Sequence, residues 1–147
     1  MMTIFEELRA DHDKQRELID QVLATSGASE ERDRLFLNLK KQLEDHALAE
    51  ERYFYVPLMK FDETQEKARH SVAEHHELDE LIEALSDAKQ DSPGWLTHAK
   101  NLAHTLLHHL EEEEKEVFPY AGKFLGDDEK SSLGSDYRAE MEKRTSP

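Results

Sequence analysis

The phrase H-x5-L-I occurs at residues 12–19 and again at 75–82. The phrase H-x3-E occurs at 46–50 and again at 109–113. In both cases the second copy lies 63 residues after the first. Within each half the two histidines, His12 and His46 or His75 and His109, stand 34 residues apart. Apolar positions keep the same register: Leu39 and Leu43 recur as Leu102 and Leu106. A fixed offset that carries both apolar and ionisable positions reads as two copies of one helical hairpin.

The segments between these landmarks have helical character. Glycine (5) and proline (4) are scarce and fall mostly between long charged, periodic stretches, which predicts an all-α chain. The expected helices run over 3–24, 30–56, 62–89 and 94–118. TSGAS (25–29) is the first turn and ends in a cap residue. Pro57 strains or ends the second helix, because its ring clashes with the preceding turn. Asp62 and Gln65 resemble a capping box. Ser92 and Pro93 mark the start of the fourth helix. The predicted architecture is an up-down-up-down four-helix bundle with a pseudo-twofold internal repeat over residues 1–120. A C-terminal extension follows over 121–147, with a short helix expected at 135–144.

Composition narrows the function. The formal charge is −15, which disfavours nucleic acid and anionic membranes as partners. There is no cysteine, so disulfides, thiolate metal sites and thiol nucleophiles are excluded. The N-terminal stretch lacks a signal-peptide pattern and no segment is apolar enough to span a membrane, so a cytoplasmic location is expected.

Helical geometry fixes which way the repeated residues point. At about 100° per residue, with Leu39 at zero, His46 falls near −20° and Glu50 near 20°. With Leu102 at zero, His109 and Glu113 fall at about the same two angles, whereas His108 falls near −120°. His12 and His75 lie on the apolar sides of their own helices. Two carboxylates and four imidazoles are thus directed into one core. A buried carboxylate without a partner costs several kcal/mol, roughly, and two close together repel. A metal cation compensates all six. Imidazole and carboxylate without thiolate suit iron, manganese or zinc.

One ion could use up to six of these ligands, but the internal symmetry suggests two ions, each with two histidines, bridged by both glutamates. Two octahedral ions offer about twelve positions, of which these residues fill about eight. Oxo, hydroxo, water or an external ligand would take the rest.

The pattern H…H-x3-E…H…H-x3-E resembles the hemerythrin-like, or HHE cation-binding, family. HLEEEEKEVFP (109–119) is similar to that family's fourth-helix phrase. HALAEERYFYVP (46–57) is similar too, with one extra residue before the proline. The resemblance covers roughly residues 1–120. It implies a non-haem di-iron centre ligated by His12, His46, Glu50, His75, His109 and Glu113, and binding O₂, NO or related species. Oxygen-carrying members have a further histidine where this chain has Asp79, and an Asp at x4 spacing where it has Glu113 at x3. Reversible O₂ transport is therefore not the expectation.

The other ionisable residues read as surface. Glu51, Glu112 and Glu114 are assigned to the surface or to contacts behind the ligands. His70, His76, His98, His104 and His108 are expected to be exposed. Tyr53, Phe54, Tyr55 and Phe118 read as core or pocket wall, and Trp95 as a packing anchor. The favoured function is a di-iron module that binds or senses O₂ or NO, working with a partner protein if it signals. The alternatives are iron storage or delivery, a di-iron peroxidase or oxidase, and a metal-free interaction bundle.

Overall fold

The computed structural model describes residues 2–145. Met1 and residues 146–147, within the expected 1–120 and 121–147 segments, lie outside the described residues. Among the described residues there is helix and no strand.

Helix α1 spans Ile4–Leu23 and starts at Thr3, whose hydroxyl accepts from the Glu6 amide while the Glu6 carboxylate accepts from the Thr3 amide. That reciprocal cap satisfies two of the donors a helix start leaves open. The turn to α2 uses Gly27 at φ 65°, a left-handed conformation that favours glycine. Helix α2 spans Glu30–Glu50, with Ser29 capping through the Arg32 amide. A π-helical turn, Glu51–Tyr55, and a short α3, Val56–Leu58, follow. Helix α4 spans Asp62–Asp87 and α5 spans Pro93–Glu112. A second π-helical turn, Glu113–Val117, leads into α6, Phe118–Ala121. Helix α7 spans Asp127–Thr145.

Three local expectations are corrected. Pro57 and Pro119 do not end their segments. The π turn before each widens the backbone, with Val56 N–H reaching Glu51 O and Phe118 N–H reaching Glu113 O. The wider turn accommodates the proline ring that an α-helix would exclude. The capping box at Asp62 does not form: Phe61 is the cap residue and Gln65 instead donates to Met59 O at 3.0 Å. Ser92 is the cap residue of α5 and Pro93 opens the helix, as expected, although the Ser92 hydroxyl donates to Lys89 O at 2.7 Å. The final helix is also much longer than the one expected at 135–144.

Helices α1 and α2 pair antiparallel, since Gln15 meets Gln42 and His12 meets His46. Helices α4 and α5 pair the same way, with His70 at Glu112 and His75 at His109. Helix α7 lies against α1 and α2. Its approach is close at Gly134, where an added Cβ would stand 2.7 Å from backbone atoms of Met2, Thr3 and Ile4.

The core is divided. One apolar cluster includes Ile19, Leu39, Leu43, Ile82, Leu102 and Leu106 and is closed at its end by Trp95. The Arg32 guanidinium lies 4.3 Å from the Trp95 ring and bonds Thr25 O and Gln90 O, tying the first and third connections together. The other cluster includes Ile4, Leu8, Phe54, Leu58, Phe118 and Tyr137. The repeated histidines and glutamates lie between these two clusters in each helix.

Candidate metal centre

All six residues singled out in the sequence are buried, and the fold brings them together. His12, His46, Glu50 and Glu113 form one group; Glu50, His75, His109 and Glu113 form another. Within each group one nitrogen or carboxylate oxygen per residue lies within 4.8 Å of all the others. Glu50 and Glu113 belong to both groups.

Each imidazole is held from behind through Nδ1. His12 Nδ1 stands 2.7 Å from Glu114 Oε2, His75 Nδ1 3.1 Å from Glu51 Oε1, and His109 Nδ1 2.8 Å from Glu74 Oε1. An ionised carboxylate only accepts, so these Nδ1 atoms donate and each Nε2 lone pair is left facing the centre. His46 is held differently: its Nδ1 is 2.6 Å from the Tyr137 hydroxyl, which donates to Asp11 Oδ2 at 2.5 Å. The single phenolic proton goes to Asp11, so Tyr137 Oη accepts from His46 Nδ1 and Nε2 again faces inward.

The 63-residue offset extends to these supports. Glu51 and Glu114 are counterparts, as are Asp11 and Glu74. Asp11 is one methylene shorter than Glu74, and Tyr137 from α7 fills the distance to His46.

Toward the centre, His12 Nε2 is 3.0 Å from Glu113 Oε1 and His75 Nε2 is 3.0 Å from Glu50 Oε1. Across each i, i+4 pair, His46 Nε2 is 3.6 Å from Glu50 and His109 Nε2 is 3.6 Å from Glu113. With the protons on Nδ1, these contacts set lone pair against lone pair. The Nε2 atoms of His12, His46 and His109, both Glu50 oxygens and Glu113 Oε1 have no hydrogen-bond partner among the described residues. Tyr55, from the first π turn, donates to Glu113 Oε2.

Burial dominates the electrostatics. It pushes the Glu50 carboxyl well above the usual carboxylate range, and the nearby Glu113 charge adds to this. Burial and the neighbouring imidazoles hold His46 well below the ordinary histidine value. His109 is also lowered by burial, against the opposing hydrogen bond to Glu74. At His12 burial is outweighed by Glu113 and Glu114, and the net shift is upward. Four inward nitrogens and two crowded carboxylates therefore lack the positive charge that would satisfy them. The donor set, nitrogen and oxygen without sulfur, fits iron, manganese or zinc.

Of the remaining sites named from sequence, Asp79 is exposed and belongs to neither donor group. It lines a cavity of about 20 Å³ beside His46, His75 and His109, with Gln15, Leu43, Leu78 and Leu106 as other walls. His70, His76, His104 and His108 are exposed as expected, whereas His98 is half-buried. Sequence reasoning missed the supports Asp11, Glu74 and Tyr137. Only the offset linking Asp11 to Glu74 could have pointed to two of them.

The model of the hemerythrin HHE cation binding domain matches residues 3–121 of the chain. The crystal structure of a hemerythrin HHE cation binding domain-containing protein from Mycobacterium kansasii is similar, with a TM-score of 0.87 and 26% identity over 98% of this chain and 88% of that one. No curated protein matches the chain. Among the described residues no helix is long and apolar enough to cross a membrane. By the family match and the buried histidines and glutamates together, the chain belongs to the hemerythrin HHE cation binding domain family.

Proposed function

We propose that the protein holds two iron ions in the buried centre and binds a diatomic ligand, O₂ or NO, beside them. In this reading His12 and His46 would hold one ion, His75 and His109 would hold the other, and Glu50 and Glu113 would be shared by both. The α1–α2 and α4–α5 hairpins act as the halves of a pseudo-twofold, up-down four-helix bundle, and α7 serves as a support for one half. The observation that carries the reading is the pair of donor groups sharing two carboxylates, with inward atoms that lack partners.

A bound iron pair supplies redox-active metal with open positions for a small ligand. The chain does the rest. The Nδ1 contacts fix each ring so that Nε2 faces the centre. The apolar clusters on either side keep bulk water out, which strengthens the electrostatics inside. The small cavity gives room for a ligand of about water size. It shares Ala47, His75, Asp79 and Ile82 with a larger open cleft of about 620 Å³, which provides access from the surface.

The test is metal analysis of anaerobically purified protein, with absorption spectra before and after NO. The reading requires about two irons per chain and near-ultraviolet charge-transfer bands that change on adding NO. Iron far beyond two per chain, readily removed by chelators, would favour storage or delivery instead. Protein that takes up no iron, with His46→Ala and Glu50→Ala leaving metal content and stability unchanged, would refute it.

A further inference from the structure

A second group of metal-ligand type lies outside the buried centre, on the surface between α4 and α5. His70 Nε2 is 3.1 Å from Glu112 Oε1 and 3.5 Å from Glu74 Oε2. One ligand atom from each of these three residues lies within 4.8 Å of the other two. His108 Nε2 is 3.2 Å from Glu112 Oε2, and that side chain is exposed. Both helices contribute the same element, a histidine followed four residues later by a glutamate: His70 with Glu74, and His108 with Glu112. On a helix that spacing places the two side chains on one face. Among the described residues neither Glu74 nor Glu112 has a lysine or arginine partner; their partners are histidines.

The opposite face shows what such a place accommodates. At the 63-residue offset, His70 and Glu74 correspond to Glu7 and Asp11. There a cation is supplied by the chain. Arg138 Nε donates to Glu7 Oε1 at 3.0 Å and Arg138 Nη2 to Asp11 Oδ2 at 3.2 Å. Helix α7 packs against α1 and α2; on the α4–α5 face His70 stands where the other face has Glu7, and among the described residues Glu74 has no arginine partner.

We propose that His70, Glu74 and Glu112, with His108 able to swing in as a fourth donor, form a surface site for a divalent transition-metal cation of the zinc or ferrous class. The cation takes the role on this face that the Arg138 guanidinium has on the other. Imidazole and carboxylate donors in a three- or four-coordinate arrangement suit these ions. Glu74 links the two sites: Oε2 faces the surface position while Oε1 accepts from His109 Nδ1 at 2.8 Å. Filling the surface site therefore alters the support behind one buried imidazole.

The experiment is an equilibrium titration with Zn²⁺, counting ions per chain, on wild type, His70→Ala, Glu112→Gln and His46→Ala. Wild type is expected to bind one ion more than His70→Ala or Glu112→Gln. His46→Ala should retain that ion while losing metal from the buried centre. His70 is exposed, and among the described residues the ion-pair partners of Glu112 are His70 and His108, so circular dichroism of both variants should match wild type. Equal stoichiometry and affinity in wild type, His70→Ala and Glu112→Gln would overturn the proposal, whatever His46→Ala does. Loss confined to His46→Ala would leave the buried centre standing and remove the surface site.

Discussion

Replacing Tyr137 by phenylalanine keeps the ring and removes one oxygen. That oxygen accepts from His46 Nδ1 at 2.6 Å and donates to Asp11 Oδ2 at 2.5 Å. Asp11 keeps its ion pair with Arg138 at 3.2 Å, so its charge stays compensated. The Nδ1–H of His46, a residue only 4% exposed, loses its acceptor. A buried donor left without a partner costs about 1–3 kcal/mol. The ring now has reason to rotate or to move its proton to Nε2, and either change turns the lone pair away from the centre. At about 1.4 kcal/mol per factor of ten, the cost corresponds to roughly 5- to 150-fold in metal affinity. Losses of about 10- to 100-fold are typical when the group behind a metal-bound histidine is removed.

The assay has two arms. Urea denaturation of chelator-treated protein measures the metal-free fold, and competition with a chromophoric chelator measures affinity. Tyr137→Phe is expected to cost about 1–2 kcal/mol of metal-free stability and to weaken binding at the His12–His46 half by about tenfold or more. The His75–His109 half, supported by Glu51 and Glu74, should be nearly unaffected. Because burial and then Asp11 raise the Tyr137 phenol above its ordinary value, the effect should not vary with pH in the neutral range. A variant that loses metal-free stability but binds metal as tightly as wild type would show that Tyr137 only packs α7, and the positioning argument would fail.

Three further outcomes follow from the same geometry. Gly134→Ala should destabilise the protein by about 1–3 kcal/mol by urea denaturation, because its Cβ would meet backbone at 2.7 Å. The gain in helix propensity, at most about 1 kcal/mol, is too small to offset this, and metal affinity should fall as Tyr137 is displaced. Glu50→Gln should abolish metal binding at the buried centre yet leave the chelator-treated protein as stable as wild type or more so, since it removes a carboxyl that burial and Glu113 already penalise; a large loss of metal-free stability would contradict this. Glu114 is held at about 2, the hydrogen bonds from His12 and Arg16 outweighing the effect of burial. A depressed folded pKa gives stability that is present above the unfolded value of about 4.5 and lost as pH falls toward about 2. Metal-free Glu114→Gln should therefore lose less stability than wild type across that window in acid titrations followed by circular dichroism.

What could be read from the sequence had strong periodicity behind it. The helices 3–24, 30–56, 62–89 and 94–118 carried apolar stripes, and the six inward donors carried both a facing and an offset. Helix α7 had neither. Its buried side chains are Tyr137 and Met141, with Gly134 as the third contact, and an interior glycine argues against a helix. The π turns were hidden because Pro57 reads as straining or ending its helix and the regular pattern stops before Pro119, when in the fold each proline follows a widened turn. Asp11 and Glu74 sit beside the apolar stripe, where periodicity does not single them out. Tyr137 is 91 residues from His46, and no local pattern joins them.

The division of the core explains why these supports matter to the candidate centre. Two apolar clusters enclose a layer that holds four imidazoles and two carboxylates. That layer opposes folding as long as its charges are uncompensated, because burial disfavours the charged forms of Glu50, His46 and His109. A bound cation reverses the balance, and its binding free energy then adds to folding stability. The outer contacts from Glu51, Glu74, Glu114 and Tyr137 keep the imidazoles aimed inward before metal arrives. They meet the ordering cost in the folding step and leave the binding step with less to organise. Helix α7 accordingly has two roles that share one residue: Tyr137 fills the apolar cluster beneath the centre and orients His46 within it.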